Sequence, residues 1–263
     1  MGQLFSTTDA TTSWTHEQYP FCESIQNNGA LPEYINTITS ISYLLSFILG
    51  CLYSSVDYFT IGKILQSSLV PLALGSALFH ATLWTLFGNL DVFSMLFLSF
   101  YGSLFALDTT LLHFGQKKDI IYSLSTMGFL LAVSIQSIQY NGMSLILLVG
   151  GPQCITLLCI ILLVIFTPMT RAIKYMIIAE LCFIIIGVGE SYVEATCIRE
   201  PGWSREFIGS HGIWHVCTAY STHLLLHAFT YIRGNLGGNR ASFKDGWFFL
   251  IFPCVNVNRE DEL

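Results

Sequence analysis

Long apolar stretches recur seven times along the chain, and short connections such as Gly88–Leu90 and Asn141–Gly142 separate them. Each stretch is roughly 19–25 residues long, which is enough for a helix to cross the hydrocarbon core of a bilayer with some tilt. The longest connection, residues 193–210, precedes the last stretch. The predicted fold is therefore all-α, a seven-transmembrane helix bundle. Its spans are expected near residues 34–52, 63–87, 91–114, 120–140, 143–167, 172–192 and 211–232.

The composition agrees with an integral membrane protein. Hydrophobic residues make up 53% of the 263 residues and charged residues only 11%, whereas a soluble domain is about a quarter charged. The net charge of -6 argues against a nucleic-acid partner, which requires a basic patch. The first thirty residues lack the basic segment and apolar run of a cleavable secretory signal.

The distribution of lysine and arginine predicts the orientation in the membrane. With the N-terminus lumenal or extracellular, nine basic residues lie on the cytosolic side and only Arg199 and Arg205 on the other. Cytosolic loops carry the excess of positive charge in membrane proteins. The chain then divides into a lumenal arm (residues 1–33), a seven-helix membrane domain (34–232) and a cytosolic tail (233–263).

Two terminal patterns bear on this orientation. Gly2 and Ser6 fit the N-myristoylation pattern, which would hold the N-terminus in the cytosol. Residues Glu260–Leu263 are close to an ER-retrieval tetrapeptide, but a lumenal receptor cannot bind a cytosolic tail. The charge bias is spread over four segments and outweighs both short patterns. We expect a multi-pass protein of the endoplasmic reticulum or Golgi membrane.

Five polar side chains are expected to meet in the lumenal half of the bundle. His211 and His215 are four residues apart, as are Ser76 and His80, so each pair lies on one face of a helix. With the N-terminus outside, the second helix brings His80 near the lumenal surface where the third begins with Asp91, and the seventh starts at that depth. Ionisable groups at membrane depth indicate a functional site by default.

Other polar residues in the spans have more ordinary interpretations. His223 and His227 repeat the four-residue spacing and lie about three helical turns deeper than His211. The residues expected at the same depth are Asp108 and His113, near the cytosolic ends, and histidines there favour structural hydrogen bonds over a second metal. In the sixth helix, Glu190 is expected to line the cavity and Glu180 to pair with another helix. The alternative for the main cluster is likewise histidines hydrogen-bonded to neighbouring carbonyl groups.

Three histidines with an open fourth position are the ligand set of a catalytic zinc ion. Zinc lowers the pKa of a bound water toward 7, and Asp91 could then accept a proton from it as general base. The Ser76 hydroxyl could donate to the oxyanion that forms when a carbonyl is attacked. Ser76 is a poorer candidate for a covalent nucleophile, because no histidine remains to activate it. Since the site lies among lipid-facing helices, the expected substrate is a lipid amide or ester.

These residues resemble the alkaline ceramidases, within a superfamily of seven-helix membrane hydrolases that includes adiponectin-receptor-like and GPI-remodelling proteins. The matching residues extend across most of the chain in the family's order: Glu33–Asn36, Ser76–His80, Asp91 and His211–His215. The resemblance implies that His80, His211 and His215 bind zinc. It also implies that Ser76 and Asp91 assist hydrolysis of the ceramide amide, which releases a sphingoid base and a fatty acid.

The resemblance also bears on the arm. Related ceramidases carry a calcium site there, and Glu23 and Glu33 match two of its ligands. Pro20 and Ile25 supply no side-chain oxygen, although calcium prefers six to eight oxygens. A shift that brings in Asn27 or Asn28 would be needed to complete the site.

Two cysteines are expected on the lumenal side of the membrane. Cys22 lies in the arm and Cys197 in the long loop, and that compartment is oxidising. The resemblance supports a disulfide between them, which would hold the arm over the mouth of the site.

Two other functions use the same pattern. A zinc-dependent esterase that acts on GPI anchors or other lipids would need the same residues. A seven-helix receptor or transporter with a structural metal is the non-enzymatic alternative. A transporter favours helices broken near mid-membrane, and only Gly150–Pro152 hints at such a break.

Overall fold

The computed structural model of the protein describes residues 33–55, 60–115, 121–138, 142–168, 170–199 and 210–258. Almost all of these residues are helical, and a short hairpin lies near the C-terminus. In chain order the elements are α1 (Tyr34–Thr39), α2 (Ile41–Tyr53), α3 (Thr60–Thr82), α4 (Thr85–His113), α5 (Ile121–Ile138), α6 (Gly142–Phe166), α7 (Arg171–Arg199), α8 (Ser210–Leu236), β1 (Arg240–Phe243), α9 (Trp247–Ile251) and β2 (Val255–Asn258).

Helices occupy all seven of the predicted stretches, so the prediction of a helical membrane bundle is confirmed. In α8, four histidines interrupt the apolar sequence, and in α5 the apolar part is only Thr126–Ile135. Whether all seven stretches cross the membrane, and in which orientation, stays a prediction. Five segments among the described residues are long and apolar enough to cross a membrane: Tyr34–Tyr53, Ile61–Thr82, Thr85–His113, Leu148–Phe166 and Arg171–Val193.

The helices pack through small residues and a few large ones. Ala106, Ala172, Ala179 and Ala228 are fully buried where α4, α7 and α8 meet. Small residues let helices approach closely in a membrane, where van der Waals packing and hydrogen bonds drive association. Large side chains fill the spaces between them: Leu69, Leu96, Leu104, Phe105, Leu163, Ile173, Met176 and Leu224.

The boundary between α3 and α4 differs from its predicted position. The connection was expected at Gly88–Leu90, but α3 ends at Thr82 and α4 begins at Thr85. Leu83 turns the chain with a positive φ of 55°. A Cβ at Gly88 would lie 3.0 Å from the Phe79 ring, so this glycine permits close helix packing and not a turn. Asp91 consequently lies in the second turn of α4 and does not begin it.

The end of α7 also differs from its predicted position. The longest connection was expected to start at residue 193, yet α7 continues to Arg199. Cys197 is therefore helical, although its side chain is not among those described. Gly2, Cys22, Glu23 and Glu260–Leu263 lie outside the described residues, so the predictions about acylation, the disulfide, the calcium site and the retrieval-like tail stay predictions.

The C-terminal segment folds back onto the bundle. Strands β1 and β2 pair antiparallel, with Arg240 opposite Asn258 and Phe243 opposite Val255. The Val255 carbonyl accepts hydrogen bonds from the Ser55 backbone N–H at 2.7 Å and from the Ser54 hydroxyl at 3.0 Å. These bonds join the last strand to the end of α2.

Candidate metal centre

Three histidines from two helices converge at one end of the bundle. His80 lies in the last turn of α3, and His211 and His215 lie in the first two turns of α8. One ring nitrogen from each residue lies within 4.8 Å of the others. His80 and His215 are buried, and His211 is 9% exposed. The structure therefore brings together the three residues that the sequence proposed as ligands.

Two of the histidines are oriented by carboxylates. The Nδ1 atom of His80 donates to Oε2 of Glu33, and the Nδ1 atom of His211 donates to Oε1 of Glu190 at 2.8 Å. A histidine that binds a metal through one nitrogen commonly donates its other N–H to a carboxylate, which fixes the tautomer and the ring orientation. With Nδ1 bonded in this way, a shared ion would be bound through the Nε2 atoms of both residues.

The third histidine is oriented by a hydroxyl at the junction of α1 and α2. Ser40 donates its proton to the Asn36 carbonyl at 2.7 Å, so its oxygen can accept from Nδ1 of His215 at 3.1 Å. Thr39 Oγ1 lies 3.3 Å from the same nitrogen. All three histidines are thus held through Nδ1, and this arrangement fits a metal bound by three Nε2 atoms.

Close helix packing brings α1 against the start of α8. A Cβ at Gly212 would lie 2.9 Å from Cγ2 of Ile35 and 3.0 Å from Oγ1 of Thr39. The glycine between the two histidines of α8 therefore lets α1 lie directly over them. This approach places the hydroxyl of Ser40 beside His215.

Ser76 and Asp91 lie beside the histidines, as the sequence predicted. Ser76 Oγ lies 3.4 Å from Nε2 of His215 and 2.9 Å from Oγ of Ser40, and it also hydrogen-bonds the Asp91 carboxylate. Both side chains are buried, at 1% and 8% exposure. A Cβ at Gly75 would lie 2.9 Å from the Asp91 backbone nitrogen, so α3 and α4 nearly touch here. A carboxylate and a hydroxyl group thus lie beside the histidine cluster.

An apolar cavity of about 110 Å³ lies inside the bundle next to the cluster. At one end it is lined by Trp214, Thr218 and Tyr43, whose ring centroid is 6.1 Å from that of His215. Its lining also includes Phe229, which lies about four helical turns beyond Trp214 along α8. Most of the residues that line it are apolar.

The sequence did not identify the residues that orient the ligands. Glu33 was predicted as a calcium ligand, but Oε2 of Glu33 contacts His80 and accepts from Nδ2 of Asn36 at 3.2 Å. Glu190 was predicted only to line the cavity, and Ser40 was not considered. A polar side chain directly before an apolar span, as at Glu33, is the signal that could have indicated the first of them.

Two of the remaining predictions concern cysteines and the deeper histidines. The six cysteines whose side chains are described form no disulfide with one another, and they do not include Cys22 or Cys197. Asp108 and His113, which were expected at the depth of His223 and His227, have partners of their own. Asp108 pairs with Arg233, and His113 lies 3.4 Å from the Thr167 hydroxyl.

No family model and no curated protein matches the chain. The resemblance to alkaline ceramidases therefore rests on the matching residues alone.

We predict that the contact between Glu190 and His211 strengthens the binding of a metal ion by the cluster. Replacing Glu190 with Gln keeps the shape of the side chain but removes the charge that strengthens the bond from Nδ1. Loss of such a partner typically weakens metal binding by about 10–100-fold. We expect a shift of that size in the zinc dissociation constant, measured by competition with a chelator of known affinity.

Glu180 provides the matched control on the same helix. It is buried in α7 and lies nearly three helical turns before Glu190. Glu180→Gln should leave zinc affinity unchanged. Equal affinities for the Glu190→Gln variant and the wild type would show that the carboxylate does not act on the metal.

Proposed function

We propose that the protein is a zinc-dependent membrane hydrolase of the alkaline ceramidase type, which cleaves the amide bond of ceramide to a sphingoid base and a fatty acid. The observation that carries this proposal is the buried cluster in which three histidines, each held through Nδ1, adjoin Ser76 and Asp91. Buried hydrogen bonds alone would not require three ring nitrogens to converge on one point.

The residues around the cluster have complementary roles in the proposed reaction. When bound, zinc supplies a Lewis acid that makes water more acidic and polarises the substrate carbonyl. Asp91 accepts a proton from the attacking water while the water oxygen bonds to the carbonyl carbon. The Ser76 hydroxyl donates to the oxygen on which negative charge develops. As the C–N bond breaks, Asp91 returns the proton to the departing nitrogen, which becomes the amine of the sphingoid base.

The adjacent cavity supports a lipid substrate. Most of its lining is apolar, including Leu72, Met95 and Leu98, and it leads away from the histidines along the helices. In the proposed complex the acyl chain enters this cavity near Tyr43, whose ring lies close to that of His215, and its carbonyl group lies toward the cluster. Binding the chain inside the bundle also excludes bulk water from the reacting atoms, which strengthens the electrostatic contributions of the site.

The proposal includes a topology and a compartment. The histidine cluster lies at the start of α8 and Arg233 near its end, about six helical turns further along. This length is close to the thickness of the hydrocarbon core. Together with the charge bias, it supports seven spans with the cluster on the lumenal side, in the endoplasmic reticulum or Golgi. A calcium ion at Glu23 and Glu33, and a disulfide between Cys22 and Cys197, complete the proposed lumenal arm.

The two alternatives have no specific support in the structure. The transporter alternative relied on a break at Gly150–Pro152, but α6 runs without interruption through Pro152, whose carbonyl accepts a bond from Ser103 at 2.6 Å. An esterase would use the same five residues as an amidase. Only the products of the reaction distinguish these two activities.

The proposal is tested by lipid analysis of membranes incubated with the purified protein. We expect ceramide to fall while sphingoid base and fatty acid rise in equal amounts. A chelator should stop the reaction, and added zinc should restore it. Release of fatty acid from ester lipids with ceramide unchanged would assign the esterase activity instead. No change in any lipid would contradict a hydrolase.

A variant of the cavity sharpens this test. Gly102 lines the cavity, and a Cβ there would contact nothing within 4 Å, so Gly102→Leu should fill space that the acyl chain occupies. We expect the preferred ceramide to shift toward shorter acyl chains. Gly150→Leu is the matched control, because Gly150 is also helical with open space around it but does not line the cavity. An unchanged chain-length profile in Gly102→Leu would place the acyl chain elsewhere.

A further inference from the structure

A second cluster of metal-ligating side chains lies deeper in the bundle. His223 and His227 are one turn apart on α8, and the returning C-terminal segment places Cys254 beside them. One ligand atom from each of the three lies within 4.8 Å of the other two. All three are buried, with His227 and Cys254 at 0% exposure. The cluster therefore joins two parts of the chain that are far apart in sequence.

This cluster is separate from the first. His223 follows His215 on the same helix by more than two turns, and His227 is one turn further away. A single ion cannot bind to both sets. Any metal at the second cluster would therefore be bound independently of the proposed reaction.

Backbone carbonyl groups orient both histidine rings. Nδ1 of His227 donates to the His223 carbonyl at 2.8 Å, and Nε2 of His223 donates to the Pro253 carbonyl at 3.0 Å. Backbone carbonyls commonly fix the tautomer of a ligating histidine in this way. Nε2 of His227 is buried and has no hydrogen-bond partner among the described residues. A buried nitrogen without a partner is costly unless a ligand occupies its lone pair.

The cysteine is held in place by contacts on both sides. Pro253 accepts the bond from His223, and Val255 accepts those from Ser54 and Ser55. The Cys254 sulfur lies 4.0 Å from the Leu49 carbonyl oxygen. The thiol therefore faces the end of α2 and the middle of α8 in a fixed position, as a ligand must.

We propose that His223, His227 and Cys254 bind a second metal ion, a thiophilic ion such as Zn²⁺ or Cu⁺, which fastens the C-terminal hairpin to α8. The donor set determines this class of metal. Thiolate and imidazole select zinc or Cu⁺, whereas calcium, magnesium and manganese prefer oxygen ligands. Zinc would complete four-coordination with one further ligand. The proposal does not depend on the hydrolase activity.

Cobalt substitution tests the proposal on the full-length protein in detergent. After chelator treatment, the protein is titrated with Co²⁺, which gives a thiolate-to-metal charge-transfer absorption in the near ultraviolet only where a cysteine binds it. The first cluster has nitrogen ligands and cannot give this band. In the wild type we expect the band to reach its full intensity once one equivalent of Co²⁺ has bound at this site. The Cys254→Ser and His227→Ala variants should not develop the band. The band should survive in His211→Ala.

Cys159→Ser is the matched control, because Cys159 is also a buried thiol but lies in α6 outside the cluster. It should keep the band. Elemental analysis of the protein as purified then separates the two metals, since the equivalent that Cys254→Ser lacks is either zinc or copper. A wild type that shows no charge-transfer band, or a band that persists in Cys254→Ser, would overturn the proposal, whatever the outcome of the lipid assay.

Discussion

Replacing both His211 and His215 with alanine is expected to remove one metal ion per chain and to reduce hydrolysis to the uncatalysed background. Each supplies one of the three nitrogens that converge within 4.8 Å, and His80 alone cannot retain a zinc ion against water. Atomic absorption on the purified variant measures the loss, and release of sphingoid base from ceramide measures the activity. An ion at the proposed Cys254 site should remain, so the variant is expected to hold one metal fewer than the wild type.

His113→Ala provides the control for this double variant. His113 lies at the far end of α4, near Thr167, and outside both clusters. Its replacement should leave metal content and hydrolysis close to those of the wild type. A double variant that keeps the full metal content of the wild type would exclude His211 and His215 as ligands, and with them the proposed mechanism.

The sequence predicted the helices well because their signal is repeated over many residues. Each predicted stretch coincides with a helix, since some twenty apolar residues in succession have few other solutions in a membrane. Boundaries depend on single residues and were less certain. Gly88 and Asn89 predicted a turn, but Gly88 packs against Phe79. The turn lies instead at Leu83, which has a positive φ that the sequence does not indicate.

In the candidate site, too, features set by residues close in the sequence could be predicted, whereas contacts between distant residues could not. The spacing of His211 and His215 is local, and their agreement in depth with His80 follows from helix geometry. The partners at Nδ1 depend on contacts between helices that one sequence does not specify. Glu33 reaches His80 over 47 positions, and Ser40 reaches His215 over 175. No periodic pattern in the sequence indicates either contact.

The C-terminal segment was the part least accessible from the sequence. It was predicted only as a tail, because its strands are four residues long and carry no sustained periodicity. Its return to the bundle places Cys254 against His223 and His227, a contact that no feature of the sequence indicated.

Replacing Asp91 with Asn is expected to lower turnover by roughly a hundredfold or more while the metal stays bound. The amide keeps the shape of the carboxylate and can still hydrogen-bond Ser76, but it cannot accept a proton from water. Because Asp91 is not one of the three converging ligands, zinc content should match that of the wild type. The decrease in turnover would then reflect the loss of proton transfer and not the loss of the metal ion. Single-turnover hydrolysis of a labelled ceramide, with metal analysis of the same sample, makes the measurement.

Loss of the Ser76 hydroxyl should also lower turnover strongly, but through a different part of the mechanism. Ser76→Ala removes the donor to the oxyanion and is expected to cost on the order of 2–4 kcal/mol of transition-state stabilisation, seen in turnover with zinc retained. Ser94→Ala is the matched control, since Ser94 is also buried and lies one turn from Asp91, but its hydroxyl donates to the Leu90 carbonyl. It should leave turnover unchanged. If Asp91→Asn and Ser76→Ala both hydrolyse ceramide at near-normal rates, these two residues have no part in the chemistry, and the histidine cluster must act with other groups.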